Sequence, residues 1–189
     1  MVFADELDIP LLPKVGAAWM PKGTQVAVMT PGTNAKHYLA GALDVTTGTL
    51  LHCCGPRKTN ALFRDLLQVL EERYPAEPYT RLYVVVDNYK IQKAQAVQQW
   101  LADHPRFVLL FLPTYCPRAN PIERAFGDVH DTCTRNHRRK RLPELVADVK
   151  WHLHVNGPWP YKLSALYYEP EVTGAVAKIL TDEQAQAAA

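Results

Sequence analysis

Residues 82–88 read LYVVVDN, and how this run is read decides the fold. Leu82–Val86 is an almost unbroken series of β-branched, aromatic and aliphatic side chains. Such a run suits a strand buried on both faces, as in a parallel sheet covered by helices. Its surroundings agree. Before it, Thr59-Asn60 offers a cap, and residues 61–74 carry Leu62, Phe63, Leu66, Leu67 and Leu70 at helical spacing until Pro75 and Pro78. After it, residues 93–103 place Ala96, Val97, Trp100 and Leu101 on one helical side, and FVLLFL at 107–112 reads as a second buried strand. Strand–helix–strand crossovers are right-handed by default and make successive strands parallel. Upstream, residues 25–29, 36–44 and 49–54 are β-rich and separated by the turn signals PGTN and VTTG. These predict an antiparallel meander, with a lead strand over residues 1–4 at its edge. The expected architecture is α/β: a mixed sheet, part antiparallel meander and part parallel, with helices on both faces.

The bulk numbers narrow the class. A chain of 189 residues, 48% hydrophobic and 21% charged, can bury a core of its own. A net charge of +2 does not make the whole molecule a polyanion binder, but five of the seven residues in RNHRRKR, 135–141, are basic. Arg135, Arg138, Arg139, Lys140 and Arg141 are therefore candidate phosphate contacts. The cysteines, at 53, 54, 116 and 133, include no CxxC pair and lack zinc-ligand spacing. No signal peptide or long apolar run is present, so no membrane partner is expected and the expected setting is a reducing cytoplasm.

The carboxylates are the chemistry-bearing feature. Asp5 follows the first strand, Asp87 closes the most buried one, and Glu123 opens the helix after the last. Sites in open α/β sheets form outside the carboxyl ends of the strands. Asp5 and Asp87 become neighbours there if the first and fourth strands pair. Three carboxylates at close range raise one another's pKa and call for a cation. Hard oxygen ligands suit Mg²⁺ or Mn²⁺. Two such ions about 3.5–4 Å apart serve phosphodiester chemistry. Each acid also has an ordinary reading, as a turn or first-turn helix residue.

The stretches FADE, WMPKG, VVVDNYK and LPTYCPRANPIERAF resemble the DDE transposases of bacterial insertion sequences related to mariner elements. The likeness runs from Met1 to about Arg141, and its most specific block is Pro-x-x-Asn-Pro-Ile-Glu. The 35 residues between Asp87 and Glu123 fit the family spacing. The resemblance implies an RNase H-like catalytic domain over residues 1–142. Residues 143–189 would then be a C-terminal helical or irregular extension packed on it, ending in a frayed tail. It implies that Asp5, Asp87 and Glu123 are the catalytic, metal-holding triad for two Mg²⁺ or Mn²⁺ ions. It further implies DNA strand cleavage and strand transfer at element ends, double-stranded DNA as substrate and target, a homo-oligomeric active assembly and a nucleoid-associated location. Asn88, Asn120 and Pro121 are expected to support the site, Pro121 as a helix-start proline.

Two departures stand out. Relatives often carry His where this chain has Gln92, which can hydrogen-bond but not titrate, and Phe126 stands where an aromatic, often Trp, is usual. The family's helix-turn-helix modules, which precede the catalytic domain, have no counterpart in this sequence. That raises the expectation of a short or split frame served by a separate helix-turn-helix polypeptide, or of a truncated remnant that binds without cleaving. A structure-selective nuclease on the same fold is the third reading. Trp19 and Trp100 are expected in the core, His130 on a helix surface, and His152 and His154 apart on a helix. A last short helix is expected over 173–180.

Overall fold

The computed structural model describes residues 1–24, 27–113 and 120–159. Its sheet has five strands: β1 (Val2–Pro10), β2 (Lys36–Asp44), β3 (Thr49–Gly55), β4 (Leu82–Val86) and β5 (Phe107–Phe111). Their order is β3-β2-β1-β4-β5. β1 to β3 pair antiparallel, whereas β4 runs parallel to β1 and β5 parallel to β4. This is the mixed sheet expected from the sequence.

Alternation along the strands assigns the two faces. Val2 and Ala4 of β1 and Val84 and Val86 of β4 pack with α1 (Asn60–Arg73) and with Val97 of α2 (Gln95–Asp103). Thr59 caps α1, its hydroxyl accepting from the Leu62 amide at 3.4 Å. Leu7 and Ile9 of β1 and Leu39 and Leu43 of β2 pack on the other side. Their partners come from α3 (Ile122–Val129) and α4 (Leu142–Asn156). Between these two helices runs a five-residue π-helical turn, His130–Thr134. Leu145, Val149 and Leu153 of α4 lie in that same cluster, so this helix belongs to the core of the sheet domain.

Four expectations are corrected. Residues 27–29 are not a strand, and residues 25–26 lie outside the described residues. β1 sits in the middle of the sheet rather than at the edge of a meander. It also runs on to Pro10, so Asp5 is mid-strand, paired with Gly41. The sequence reading ended the strand at its first acids, but the antiparallel ladder to β2 carries the backbone past them. Finally, Trp19 is fully exposed. What fixes this segment is backbone: the Lys14 amide donates to the Thr134 carbonyl (3.1 Å) and the Asn136 amide to the Lys14 carbonyl (3.0 Å). The Asn136 side chain donates to the Gly16 carbonyl (2.9 Å) and accepts from the Gly16 amide (3.1 Å). Asn136 does this at φ 49, a left-handed conformation that Asn tolerates. The indole lies beyond that tether. Trp100, by contrast, packs against the α1–α2 side of the core as expected. The helix expected over 173–180 lies outside the described residues.

One glycine sets how closely α3 approaches the sheet. A Cβ on Gly41 would stand 3.0 Å from Cζ of Phe126 and 3.3 Å from Cδ1 of Ile122. Gly41→Val is therefore expected to destabilise the domain by about 1–3 kcal/mol through overpacking. Urea unfolding measures it, and an unchanged midpoint would show that α3 has room to move away.

Candidate active site

The register of the sheet brings the first two acids together. Ala4 pairs with Val86 in the parallel β1–β4 ladder; Asp5 is the next residue on β1, and Asp87 follows directly after the end of β4. Both belong to the sheet face that carries α3, since Phe3 and Val85, two residues back on each strand, share a cluster on that face. Glu123 arrives in the first turn of α3, with its side chain exposed. It enters from Pro121, which occupies the N-cap with φ −64. This is one position earlier than the sequence reading placed it, but the helix-ready φ is as expected. Residues 114–119 of the preceding loop lie outside the described residues.

Each of the two aspartates is held by a neighbour. Asp5 accepts the Glu6 amide at 2.7 Å on Oδ1 and the Asn120 side-chain amide at 3.1 Å on Oδ2. Asp87 accepts from Nε2 of Gln92 at 3.1 Å, and Gln92 is 1% exposed. Gln92 is thus a buried clamp on a site carboxylate. Asn120, which donates to Asp5, is buried also. Asn88 is exposed, and its side chain makes no hydrogen bond to a described residue.

The electrostatics show that the acids feel one another. The Asp5 carboxyl is pushed up from 3.8 to about 7. Burial is the largest cause; the charges of Glu123, Glu6 and Asp87 add to it, and the hydrogen bond from the Glu6 amide opposes it. Glu6 points the other way from Asp5 and is itself buried, which raises its pKa. Its compensating charge is Lys58, whose ammonium lies 3.3 Å from Oε2. At that distance and angle the contact is an ion pair rather than a well-aligned hydrogen bond, since neither Glu6 oxygen has a hydrogen-bond partner. Sequence reading missed both residues. The only signal for Glu6 was its place beside Asp5, and nothing marked Lys58.

Among the described residues, no three acidic, imidazole or thiolate groups stand close enough to grip a metal ion as they are. The donor chemistry nonetheless fits a hard divalent cation. Its ligands would be carboxylate oxygens, and the nearby charges of Glu123, Glu6 and Asp87 add to the burial that raises Asp5.

The basic run divides. Arg139 forms a two-pronged pair with Asp148 at 2.6 and 3.0 Å. Arg135 binds Asp131 at 2.6 Å, and Arg141 binds Glu144 at 2.7 Å. Arg138 and Lys140 are exposed and pair with no described acid. Arg138, Arg139 and Lys140 line a hollow of about 660 Å³ against Ala27, Met29, Thr30 and Pro31; none of the three acids lines it. His130 contacts the Lys14 ammonium at 3.1 Å and the Thr134 hydroxyl at 2.9 Å. His152 is tied to Asp128 at 2.9 Å, away from any pairing with His154.

A central strand flanked by antiparallel and parallel neighbours, with one acid on it, one just past the end of the strand beside it and one at the start of a covering helix, is an RNase H-like arrangement. The family model for the DDE superfamily endonucleases matches residues 1–146, and the chain belongs to that family. It is 40% identical over 158 residues to an uncharacterised 39 kDa protein of insertion element IS630 from Shigella sonnei. That alignment covers 84% of this chain and 46% of the relative, so the chain spans about half the relative's length. In fold it matches the Mos1 transposase paired-end complex with left transposon end. There the TM-score is 0.66 at 16% identity, over 92% of this chain and 55% of that one. It also matches the mariner Mos1 paired end complex with Mg, at TM-score 0.67 and 16% identity, over 94% of this chain and 55% of that one.

The Asp5 shift has a consequence for stability. The unfolded chain ionises Asp5 near 3.8, whereas the folded protein keeps its proton until about 7. The folded state therefore binds more protons across that window, and stability falls as pH rises through it. In metal-free buffer, the parent should lose more stability than Asp5→Asn between pH 4 and pH 7.5, roughly the window those two values bound. Parallel curves from chemical denaturation would contradict the burial of this acid.

Proposed function

We propose that this chain is the catalytic domain of an insertion-sequence transposase that cleaves DNA strands at element ends and joins them to a target. The observation that carries the reading is Asp5, a half-buried acid pushed to about 7 by desolvation and by the charges of Glu123, Glu6 and Asp87. Acids so arranged are costly to keep charged unless a cation is to share them. Asp5, Asp87 and Glu123 would hold two divalent ions, Mg²⁺ or Mn²⁺, and the Mg-containing mariner complex supports that choice. When bound, the ions would offset the charge that builds on the attacked phosphate and its leaving oxygen.

The chain's own residues prepare this. Asn120 and the Glu6 amide fix the Asp5 carboxylate, and Gln92 fixes Asp87, so two ligand positions are set before any ion arrives. Gln92 is non-titrating, so the family's usual His contributes no proton step at this position. Glu123, exposed in the first turn of α3, is the ligand with freedom to close on the ion. Within the basic run, Arg138 and Lys140 are the cations open to DNA phosphates. Arg135, Arg139 and Arg141 reach DNA by exchanging exposed internal pairs, which are weak.

The partners that follow are double-stranded DNA at element ends and target, a second copy of the chain in a paired assembly, and a helix-turn-helix recognition module. The Mos1 complex with a transposon end supports the first. No helix among the described residues is long and apolar enough to cross a membrane, and a cytoplasmic, nucleoid-associated setting suits the reading. The same proposal takes residues 1–142 as the catalytic domain, with α4 at the start of the 143–189 extension packed into its core through Leu145, Val149 and Leu153. The rival reading, a remnant that binds without cleaving, is not favoured, because all three acids are present and two keep their hydrogen-bonding partners.

The test is strand nicking and strand transfer on an element-end duplex with Mg²⁺ or Mn²⁺. The parent should nick, and Asp87→Asn should lose activity by at least about a hundredfold, in line with loss of a ligand at a catalytic metal site. Nicking by the variant at the parental rate would remove the assignment. Separately, Arg138→Glu with Lys140→Glu should weaken binding to all duplexes alike and lower the salt slope by about 2, roughly one unit per lost phosphate contact. An unchanged salt slope would exclude phosphate contact there.

A further inference from the structure

Glu6 and Lys58 remain outside the mechanism above. Glu6 is a carboxylate whose side chain is 1% exposed, and its ion pair is with Lys58. A buried charge with one partner is costly, yet it fixes that partner's ammonium in one place. Lys58 sits in the turn between β3 and α1, immediately before the cap Thr59. Burial works against its charge, while Glu6 and then Asp5 and Asp87 favour it; the ammonium is held 3.3 Å from Glu6, the residue next to Asp5 in the chain. It also lies 5.2 Å from the ring centroid of Tyr89, a cation–π contact. Tyr89 is 49% exposed, only two residues beyond Asp87. Arg57 precedes Lys58 and Lys90 follows Tyr89; both are exposed and pair with no described acid.

We propose that Arg57, Lys58, Tyr89 and Lys90 form a second nucleic-acid contact, a rim that grips the single strand next to the scissile phosphate. This deepens the nuclease reading and rests on it. The chemistry is that of single-strand binding: an aromatic face on which a base stacks, with cations that follow the backbone. The rim differs from the 135–141 run in two ways. It adjoins the site carboxylates through Lys58, and it pairs its cations with an exposed tyrosine, whereas the run's arginines are largely matched to Asp131, Asp148 and Glu144. Glu6 serves it as a positioning residue that anchors Lys58 from beneath.

The experiment uses the full chain, with single strands of element-end sequence carrying 2-aminopurine beside the cleavage position for binding and the matching duplexes for nicking, and Ca²⁺ to hold binding apart from cleavage. The parent should quench the probe by stacking. Tyr89→Leu should lose the quench and about tenfold in single-strand affinity, in the range of one lost base–aromatic stack. Tyr89→Phe, which keeps the ring, should match the parent. Arg57→Glu with Lys90→Glu should lower the salt slope for single strands by about 1.4, at roughly 0.7 per contact. Lys58→Met risks leaving Glu6 unpaired, so it is paired with Glu6→Gln; the double variant should fold and still bind more weakly than the parent. A parent that binds and nicks, matched by every variant in quench, affinity and salt slope, overturns the rim and leaves the nuclease reading standing. A parent that neither binds nor nicks overturns both.

Discussion

A carboxylate placed in the middle of the central strand, under a covering helix, is the constraint on which the rest of this structure depends. Asp5 cannot move away, because β1 is laddered to β2 on one side and to β4 on the other. It cannot ionise cheaply, because it is half-buried near other acids. Every feature of the site answers that problem. Two amide donors hold its oxygens, Asp87 is clamped alongside by Gln92, and Glu123 stays at the exposed start of α3.

The scaffold sets the distances. Glycine at position 41, directly across the ladder from Asp5, leaves space that Phe126 and Ile122 fill. That contact seats α3 on the sheet and with it the position of Glu123. α4 packs into the same cluster, so the covering layer consists of two helices rather than one. On the opposite face, Glu6 uses the alternate direction of the same strand to reach Lys58. One dipeptide therefore presents the proposed metal ligand Asp5 to one face and an anchor for a cation to the other.

Much of this was legible in the sequence where local pattern and tertiary environment agree. LYVVV gives its own strand boundaries because burial on both faces leaves an unbroken apolar run, and β4 spans Leu82–Val86 as read. Asp87 and Glu123 stood out as candidates because a strand end and a helix start are where α/β sites form, whereas Asp5 was chosen for a strand end that it does not occupy. What escaped were features that depend on partners distant in sequence. Trp19 looked like a core residue by type, but its segment is fixed by backbone bonds to Thr134 and Asn136, which leave the indole outside. Asp5 looked terminal because acids usually end strands, whereas the β2 ladder carries β1 five residues further. The run 135–141 looked uniformly open to phosphates, but the acids that engage its arginines lie on neighbouring turns and on α4. Lys58 carried no local mark at all, since its meaning comes from Glu6 and Tyr89.

The central claim is that Asp5 and Asp87 are built to share a divalent cation. Electron paramagnetic resonance titration of Mn²⁺ with the metal-free protein at about pH 7.5, just above the pH at which folded Asp5 gives up its proton, tests it most directly. The account predicts saturable binding that weakens as pH falls below about 7 and is lost or weakened at least about tenfold in Asp5→Asn and Asp87→Asn. Mn²⁺ binding of equal strength in the parent and both variants would contradict it.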